Sequence, residues 1–294
     1  MSVNSYHWKR RIMGTGGLLL AAMLAGCGLH QANVLPYATD RTDTPAHRVT
    51  ADPTHCEQLL AGSVEESDSE LDRNNIRLLS WNTQKAGRSR WQTDFTTISQ
   101  DRNLVLLQEA VPTRLELGHY SPMPFVSFAP GFSSPYGQSG VATLSSVRPL
   151  TQCHLEYREP WLRTTKATNV TEYGLTGSGE TLAVINIHAI NFSLGTDTFS
   201  RQLGQIAELL AVHKGPVIVS GDFNTWNQGR LDEVQQLALT SGLQSLRIPN
   251  DQRSLFFGKH VDHVFMRGLQ TVAARTPTVH SSDHNPITAV LRVL

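Results

Sequence analysis

The stretch PVIVSGDFN, residues 216–224, contains the pattern that decides the fold. Gly215 and Pro216 end a helical pattern, and the apolar run Val217–Val219 follows. The run stops at Gly221 and Asp222, with Asn224 two residues further on. A short apolar run bounded by turn signals is typical of a β-strand. The segment is therefore predicted to be a strand that ends in a side chain able to bind metal or move a proton.

The same pattern recurs throughout the chain from residue 76. The other runs are IRLLSW (76–81), LVLLQ (104–108), GVATL (140–144), LAVINIH (182–188), HVFM (263–266) and ITAVLRVL (287–294). Helical patterns lie between some of them, over residues 90–100, 199–213 and 231–241. Strands mixed with helices over about 220 residues predict one α/β domain.

Polar side chains stand at the ends of several predicted strands. They are Asn82, Glu109, His188 and Asp222, and the pair Asp283-His284 precedes the last strand. One such residue alone is more typical of a solvated strand end. Five such ends in one domain favour a shared site, because loops at strand ends collect functional residues in α/β sheets.

The residue types favour one kind of chemistry. Carboxylate and amide oxygens suit Mg²⁺ or Mn²⁺, whereas no cysteine or paired-histidine spacing indicates zinc. A hard metal ion beside histidines suits hydrolysis of a phosphate ester. No phosphate-binding P-loop or dinucleotide fingerprint is present. Lys+Arg and Asp+Glu are 25 each, which argues against a generic nucleic-acid coat.

A family resemblance rests on these motifs in their order. SWN (80–82), LQE (107–109), SGVATLSS (139–146), NIH (186–188), GDFN (221–224), VDHVF (261–265) and SDH (282–284) resemble the endonuclease/exonuclease/phosphatase, or DNase I-like, superfamily. NIHAINFSLG (186–195) and PVIVSGDFNTW (216–226) are similar to its YafD-type bacterial branch. The resemblance covers residues 76–294. It implies a four-layer α/β sandwich, with two mixed β-sheets packed face to face and flanked by helices.

The resemblance also implies a role for each matching position. Glu109 is the main metal ligand, with Asn82 beside it and Asp283 near the metal. Asp222 orients or deprotonates water, and Asn224 holds the phosphate or that water. His188 donates to a phosphate or leaving-group oxygen, and His284 binds the scissile phosphate or transfers a proton. Asp262 fixes the tautomer of His284.

Other residues carry weaker expectations. Lys85 follows the first strand, and Arg163 and Lys166 lie in WLRTTKAT, so all three are candidates to contact substrate. His263 is expected to pack away from the site, because adjacent strand residues face opposite sides. An ordinary solvated loop remains the alternative for Lys85.

The N-terminus is predicted to be a lipoprotein signal peptide, residues 1–27. Basic residues 9–11 precede an apolar stretch that ends in Leu-Ala-Gly-Cys, with the lipidated Cys27 last. A plain signal peptide is the alternative. Cleavage before Cys27 would leave a net charge of −3. The prediction is an exported, monomeric cell-envelope lipoprotein held at a membrane by its lipid, with Gly28 favouring the outer membrane.

Residues 28–75 are rich in polar and turn-forming residues and are predicted to be a flexible tether, with one short helix near residues 53–60. An oxidising compartment would allow Cys56 and Cys153 to pair, although two unpaired thiols remain the alternative.

The leading functional hypothesis is a Mg²⁺- or Mn²⁺-dependent phosphodiesterase resembling a nuclease. Its substrate would be nucleic acid or a phospholipid head group, and a phosphomonoesterase of the same fold is an alternative. The long basic loops that grip duplex DNA are not evident, which argues against a high-affinity DNA nuclease. A catalytically inactive binding module is the alternative from another class.

Overall fold

A computed structural model of the chain describes residues 48–62, 68–115, 123–134, 137–160, 162–193 and 195–294. The predicted signal peptide and Cys27 lie outside these residues. The strands are β1 (Arg48–Thr50), β2 (Glu70–Leu71), β3 (Ile76–Asn82), β4 (Leu104–Ala110), β5 (Phe125–Ser134), β6 (Gly137–Ser145), β7 (Thr151–Arg158), β8 (Thr165–Leu175), β9 (Thr181–His188), β10 (Val217–Asp222), β11 (Gln244–Ser245), β12 (Leu255–Phe256), β13 (Lys259–His260), β14 (Asp262–Arg267), β15 (Leu269–Arg275) and β16 (Ile287–Val293). The helices are α1 (Pro53–Ala61), α2 (Trp91–Ser99), α3 (Pro112–Leu115), α4 (Asp197–Val212) and α5 (Gln228–Thr240), with a 3-10 turn at Gln84–Ala86.

The strands form two mixed sheets and a small hairpin. One sheet has six strands in the order β15-β16-β3-β4-β6-β5. The other has the order β1-β7-β8-β9-β10-β14-β11, with β2 paired to β8. Parallel pairs (β3 with β4, β9 with β10) lie beside antiparallel pairs (β3 with β16, β10 with β14). The prediction of two mixed sheets is therefore confirmed.

Three apolar clusters show how the layers stack. The first packs α1, α4 and α5 on the outer face of the eight-stranded sheet, through residues such as Leu60, Leu203 and Val234. The second fills the space between the two sheets, where Leu78 and Leu104 meet Val184 and Ile218. The third packs α2 on the outer face of the six-stranded sheet. The order helices–sheet–sheet–helix is the predicted four-layer sandwich.

The inter-sheet face of each central strand changes from apolar to polar along its length. Side chains alternate between faces with a period of two, so residues 182, 184, 186 and 188 of β9 share one face. Leu182 and Val184 belong to the inter-sheet cluster, whereas Asn186 and His188 continue the same row. The corresponding rows lead from Ile218 to Asp222 on β10 and from Leu78 to Asn82 on β3. One end of the gap is therefore a core and the other a polar site.

The structure corrects the predicted boundary at residue 76. β1 pairs with β7, and α1 buries Cys56 and Leu60 in the same cluster as α4. Cys56 and Cys153 form a disulfide, which settles the alternative left open by the sequence. Residues 48–62 therefore belong to the domain, although their polar composition predicted a tether. None of the helices among the described residues is long and apolar enough to cross a membrane.

A buried histidine on β7 makes stability depend on pH. Burial lowers the pKa of His154 to about 4, and the amide of Gln152 donates to its Nε2 at 2.8 Å. In the unfolded chain His154 binds a proton near pH 6.5. In the folded chain it binds one only near pH 4. The stability that neutral His154 contributes is thus fully present above the unfolded pKa. It is lost as the pH falls from about 6.5 to about 4.

We expect wild type to lose about 2 kcal/mol more unfolding free energy than His154→Gln between about pH 7.5 and pH 5. Glutamine does not titrate in this range and keeps an oxygen for the Gln152 amide. Urea unfolding of both chains at the two pH values measures the difference. Equal losses in the two chains would show that His154 is not held neutral in the fold.

Candidate active site

The site lies where the polar ends of the two sheets face each other. β9 and β10 approach closely there, and Gly221 permits it with a φ of 145°. A Cβ at this position would lie 1.9 Å from the carbonyl oxygen of Ile187. Any other residue would push the strands apart, so the glycine of GDFN sets the spacing between His188 and Asp222.

His284 forms an ion pair with Asp262, as the resemblance implied. Its Nδ1 lies 2.7 Å from Asp262 Oδ2, and both side chains are buried. Burial opposes the charge on the ring, but Asp262, followed by Asp222 and Asp283, raises the pKa of His284 to about 10. The ring is therefore an imidazolium at neutral pH, and its Nε2–H is a charged hydrogen-bond donor.

The loop before β16 fixes this histidine in place. The indole Nε1 of Trp81 donates to the backbone oxygen of His284 at 2.8 Å, and the Ser282 hydroxyl donates to the backbone oxygen of Asn82. The ring of Phe256 lies 4.8 Å from the imidazole. Asn285 closes the loop by accepting from Val279 N. These contacts hold Asp283 and His284 against the end of β3.

Asp222 lies at the centre of the polar network. Its Oδ2 accepts from the Asn82 amide at 2.9 Å, and its Oδ1 accepts from the Asn224 backbone N–H at 2.8 Å. Burial raises the pKa of Asp222 to about 6, while the His284 imidazolium opposes that shift. A carboxylate with a pKa near neutrality is well suited to take a proton from water.

Lys166 contacts His188, although its sequence context supports only a weak expectation of substrate contact. Lys166 Nζ lies 2.8 Å from His188 Nε2, and His188 Nε2 lies 3.6 Å from Asp222 Oδ2. Burial, followed by Lys166 and His284, lowers the pKa of His188 well below its ordinary value. The neutral ring thus accepts from Lys166. Both side chains line the cleft, so donation by His188 stays a prediction and Lys166 is a second candidate donor.

Glu109 is displaced from the regular strand by a bulge. The register of β4 against β6 shifts between Leu107 and Ala110, and Glu109 has a φ of 50°. Its carboxylate lies 3.1 Å from Lys85 Nζ. Lys85 follows Asn82 in a turn where residues 84–86 all have positive φ. Strained backbone of this kind concentrates at functional sites, and here it turns Glu109 and Lys85 into the cleft.

The oxygen-bearing side chains predicted to bind metal lie around this cleft. Asp283 Oδ2 accepts from Gln84 Nε2 at 2.9 Å, and Asn82 Oδ1 accepts from the Gln84 backbone N–H. Glu109 already faces a cationic group, the Lys85 ammonium. Hard oxygens with a carboxylate that accommodates a cation fit Mg²⁺ or Mn²⁺.

A second group also meets the distance requirement for a metal. Ligand atoms of Asp222, Asp262 and His284 lie within 4.8 Å of one another. However, a metal needs neutral imidazole, and the carboxylates keep His284 charged. The predicted ligands Glu109, Asn82 and Asp283 need no loss of an imidazole proton, because all three offer oxygen atoms.

The cleft has two lobes that meet at Glu109 and His188. One lobe, of about 490 Å³, is lined by Asp222, Asn224, Trp226, Phe256, Asp283 and His284. The other, of about 270 Å³, is lined by Lys85, Lys166 and further residues of β5, β6 and β8. Arg163 lies in the adjoining loop and is not among the lining residues, in contrast to the substrate contact predicted for it.

The wall shared by the two lobes is the loop after β9. Glu159 Oε1 accepts from the backbone N–H groups of Asn191 and Phe192, and Arg230 donates to the carbonyls of Ile190 and Asn191. Both charged side chains are buried. Sequence reasoning missed Glu159 and Arg230, because neither belongs to a motif. A buried acid and base that hold a loop in place cannot be recognised without the fold.

Two further residues considered in the sequence analysis make supporting contacts. Asn224 has a φ of 51°, and its side-chain amide donates to the carbonyl of Ala189 at 2.8 Å. His263 is buried, lies 2.7 Å from the Thr225 hydroxyl and stacks with Phe265. Asn224 therefore joins β10 to the loop after β9 while lining the cleft. The prediction that His263 packs away from the site is confirmed.

The fold and the site define a hydrolase scaffold of the DNase I-like class. The chain belongs to the endonuclease/exonuclease/phosphatase family, whose model matches residues 79–284. Members of this family are generally hydrolases of phosphoester bonds and generally use a divalent metal.

Relatives and solved structures agree with this membership. A UPF0294 protein of Yersinia enterocolitica is 41% identical over 216 residues, covering 72% of this chain and 82% of that protein. A UPF0294 protein of Yersinia pestis is 38% identical over 240 residues, covering 79% and 92%. The structure of an endonuclease/exonuclease/phosphatase from Beutenbergia cavernae matches with a TM-score of 0.60 at 17% identity, covering 75% and 72%. The human Nocturnin catalytic domain matches with a TM-score of 0.56 at 18% identity, covering 77% and 97%. The resemblance and the fold predicted from it are both confirmed.

Proposed function

We propose that the protein is a divalent-metal-dependent phosphodiesterase. The observation that carries this proposal is the two-lobed cleft with Glu109 and His188 at its junction. A phosphodiester has a substituent on each side of its phosphorus, so a phosphate at the junction has space for both. A monoester would fill only one lobe.

Each lobe contributes a different chemical function. Asp222, in the larger lobe, takes the proton of the attacking water as the water oxygen bonds to phosphorus. The His284 Nε2–H donates to a phosphoryl oxygen, and Asp262 keeps the ring charged. The leaving oxygen departs toward the smaller lobe, where Lys166 stabilises its negative charge. Buried donors aimed at developing charge are a major source of rate enhancement.

A divalent metal would be held by Glu109, Asn82 and Asp283. When bound, it would neutralise charge on the phosphoryl oxygens. Lys85 contacts the same carboxylate and lines the smaller lobe, so it also contributes positive charge there. The alternative of an inactive binding module gains no support from the site, because every predicted catalytic residue is present and the Asp262–His284 pair is formed.

The test compares a soluble bis-aryl phosphodiester with the corresponding aryl monoester. We expect Mg²⁺ or Mn²⁺ to support turnover of the diester, a chelator to abolish it, and added metal to restore it. The diester should have the larger kcat/KM because it occupies both lobes. Preference for the monoester, or turnover unaffected by chelator, would contradict the proposal.

The proposal includes export and attachment to a membrane by lipid at Cys27. Its support is the Leu-Ala-Gly-Cys sequence after a basic and then an apolar segment. The intact disulfide is consistent with an oxidising compartment. Labelled palmitate should enter the chain and be absent from Cys27→Ala. Labelling that persists in that variant would place the lipid elsewhere.

A further inference from the structure

Four exposed apolar side chains, Phe132, Leu162, Phe192 and Phe257, surround the mouth of the cleft. We call them the rim. Phe257 is 89% exposed, and all four belong to the lining of one lobe or the other. Exposed apolar side chains scattered singly over a surface are ordinary. A group of large ones around a cleft marks a binding surface.

Buried polar contacts fix Phe192 of the rim, and a tight turn presents Phe257. The Phe192 backbone N–H is bonded to Glu159, and Arg230 holds the carbonyl of the preceding residue at 2.8 Å. Phe257 lies at a turn with Gly258, where both residues have positive φ. Its ring lies 6.1 Å from that of Trp226. The phenylalanines are therefore presented on rigid backbone.

The segments that carry the rim are basic, whereas the carboxylates of Glu109 and Asp283 lie within the lobes. The segments 131–134, 162–166, 191–193 and 255–260 contain Arg163, Lys166 and Lys259, and no aspartate or glutamate. Arg88, on a neighbouring loop, donates to the carbonyl of Ser282. Apolar side chains interleaved with cations match a surface that has phosphate groups above hydrocarbon.

We propose that the rim docks on a phospholipid bilayer and that a lipid head group enters the cleft there. This inference rests on the proposed phosphodiesterase function and names its substrate class. Exposed Leu162 has no flat face on which a nucleic-acid base could stack, whereas hydrocarbon accepts leucine and phenylalanine alike. The 20 residues 28–47 separate Cys27 from β1, and extended they span at most about 70 Å. A domain anchored at Cys27 thus stays within reach of the bilayer.

The first test measures insertion without using activity. The full chain is placed on vesicles of phosphatidylethanolamine and phosphatidylglycerol, with an environment-sensitive fluorophore on Phe192→Cys or Phe257→Cys. Matched controls are Leu239→Cys and Val272→Cys, which are 77% and 59% exposed away from the mouth. The parent chain gives the background labelling. Doxyl lipids should quench the rim positions roughly threefold more than the controls, because inserted side chains lie about 5–10 Å into the interface. Equal quenching would overturn the proposal.

The second test compares two substrates. For Phe257→Ser, the ratio of turnover on vesicle phospholipid to turnover on the soluble diester should fall about tenfold. Leu239→Ser should leave the ratio unchanged. If single-stranded DNA turnover falls in place of vesicle turnover, the rim is a base-stacking surface and the proposal is wrong. Quenching at the rim in a chain that hydrolyses neither diester would uphold docking and refute the proposed function instead.

Discussion

Asp222→Asn should lower kcat on a soluble phosphodiester by about a thousandfold near neutral pH, within the usual range for loss of a general base in a preorganised site. Asparagine keeps the shape of the side chain, and its oxygen can still accept the Asn82 or Asn224 hydrogen bond. It cannot take a proton from water. KM should change much less than kcat, because the lining of both lobes is retained.

A surface carboxylate provides the control for this substitution. Asp101 is exposed at the start of the loop before β4 and pairs only with Arg102 among the contacts described. Asp101→Asn removes the same charge without touching the cleft, so its kcat should match wild type. Thermal unfolding of both variants tests whether the fold is retained. A loss of less than about tenfold in a folded Asp222→Asn chain would remove Asp222 from the role of base.

Removal of the disulfide should produce the largest change in stability. Cys56 and Cys153 are 97 residues apart in sequence, so the bond closes a long loop in the unfolded chain. The chain-entropy relation gives a stabilisation of about 4–5 kcal/mol for a loop of this length. We expect Cys56→Ala with Cys153→Ala to lose about that much unfolding free energy, measured by urea denaturation.

The reduced wild type is the matched comparison for this double variant. Both side chains are buried, and alanine avoids placing an unpaired hydroxyl in the cluster that packs α1 on the eight-stranded sheet. A reductant should bring wild type to the stability of the variant and leave the variant unchanged. Catalytic rates at permissive temperature should be retained, because none of the residues lining the cleft belongs to α1. Equal stability of oxidised wild type and variant would contradict the prediction.

Much of the fold could be predicted from sequence, and the reason lies in burial. β3, β4, β9 and β10 are buried along almost their whole length, so they appear as runs composed mainly of apolar residues. α4 was predicted within two residues at its start and one at its end because its apolar residues repeat at helical spacing. Such patterns can be read from a short stretch of sequence, and the residues they mark as apolar are the ones that the fold buries.

The strands that escaped prediction carry polar residues on buried faces. β7 and β8 place Gln152, Asn169 and Thr171 inside the protein, where they are buried. Asn169 exchanges hydrogen bonds with Ser127 of β5, a partner 42 residues away. The buried and exposed positions of β7 and β8 therefore do not alternate between apolar and polar residues. A short stretch of the sequence alone does not reveal these strands.

The site residues that belong to sequence motifs could be predicted. The residues whose role comes from contacts with neighbouring elements could not. Asp262 and His284 were paired correctly from the family pattern. Lys166 received little weight because a lysine in a threonine-rich segment has no distinguishing local signal. Its importance comes from β8 lying beside β9, which puts its ammonium group against His188. Arg163, three residues earlier, has the same charge but lies in a loop outside the lining.

Two rows of side chains, from Leu78 to Asn82 and from Ile218 to Asp222, each combine two roles on a single strand. Their apolar halves pack the two sheets together, and their last two positions lie at the polar site. Substitution at the polar ends can thus alter the reaction without disturbing the hydrocarbon interior some three residues away. Such a scaffold can acquire new substrates through substitutions at the polar strand ends. The same positions let protein engineers change the chemistry while the apolar core between the sheets stays intact.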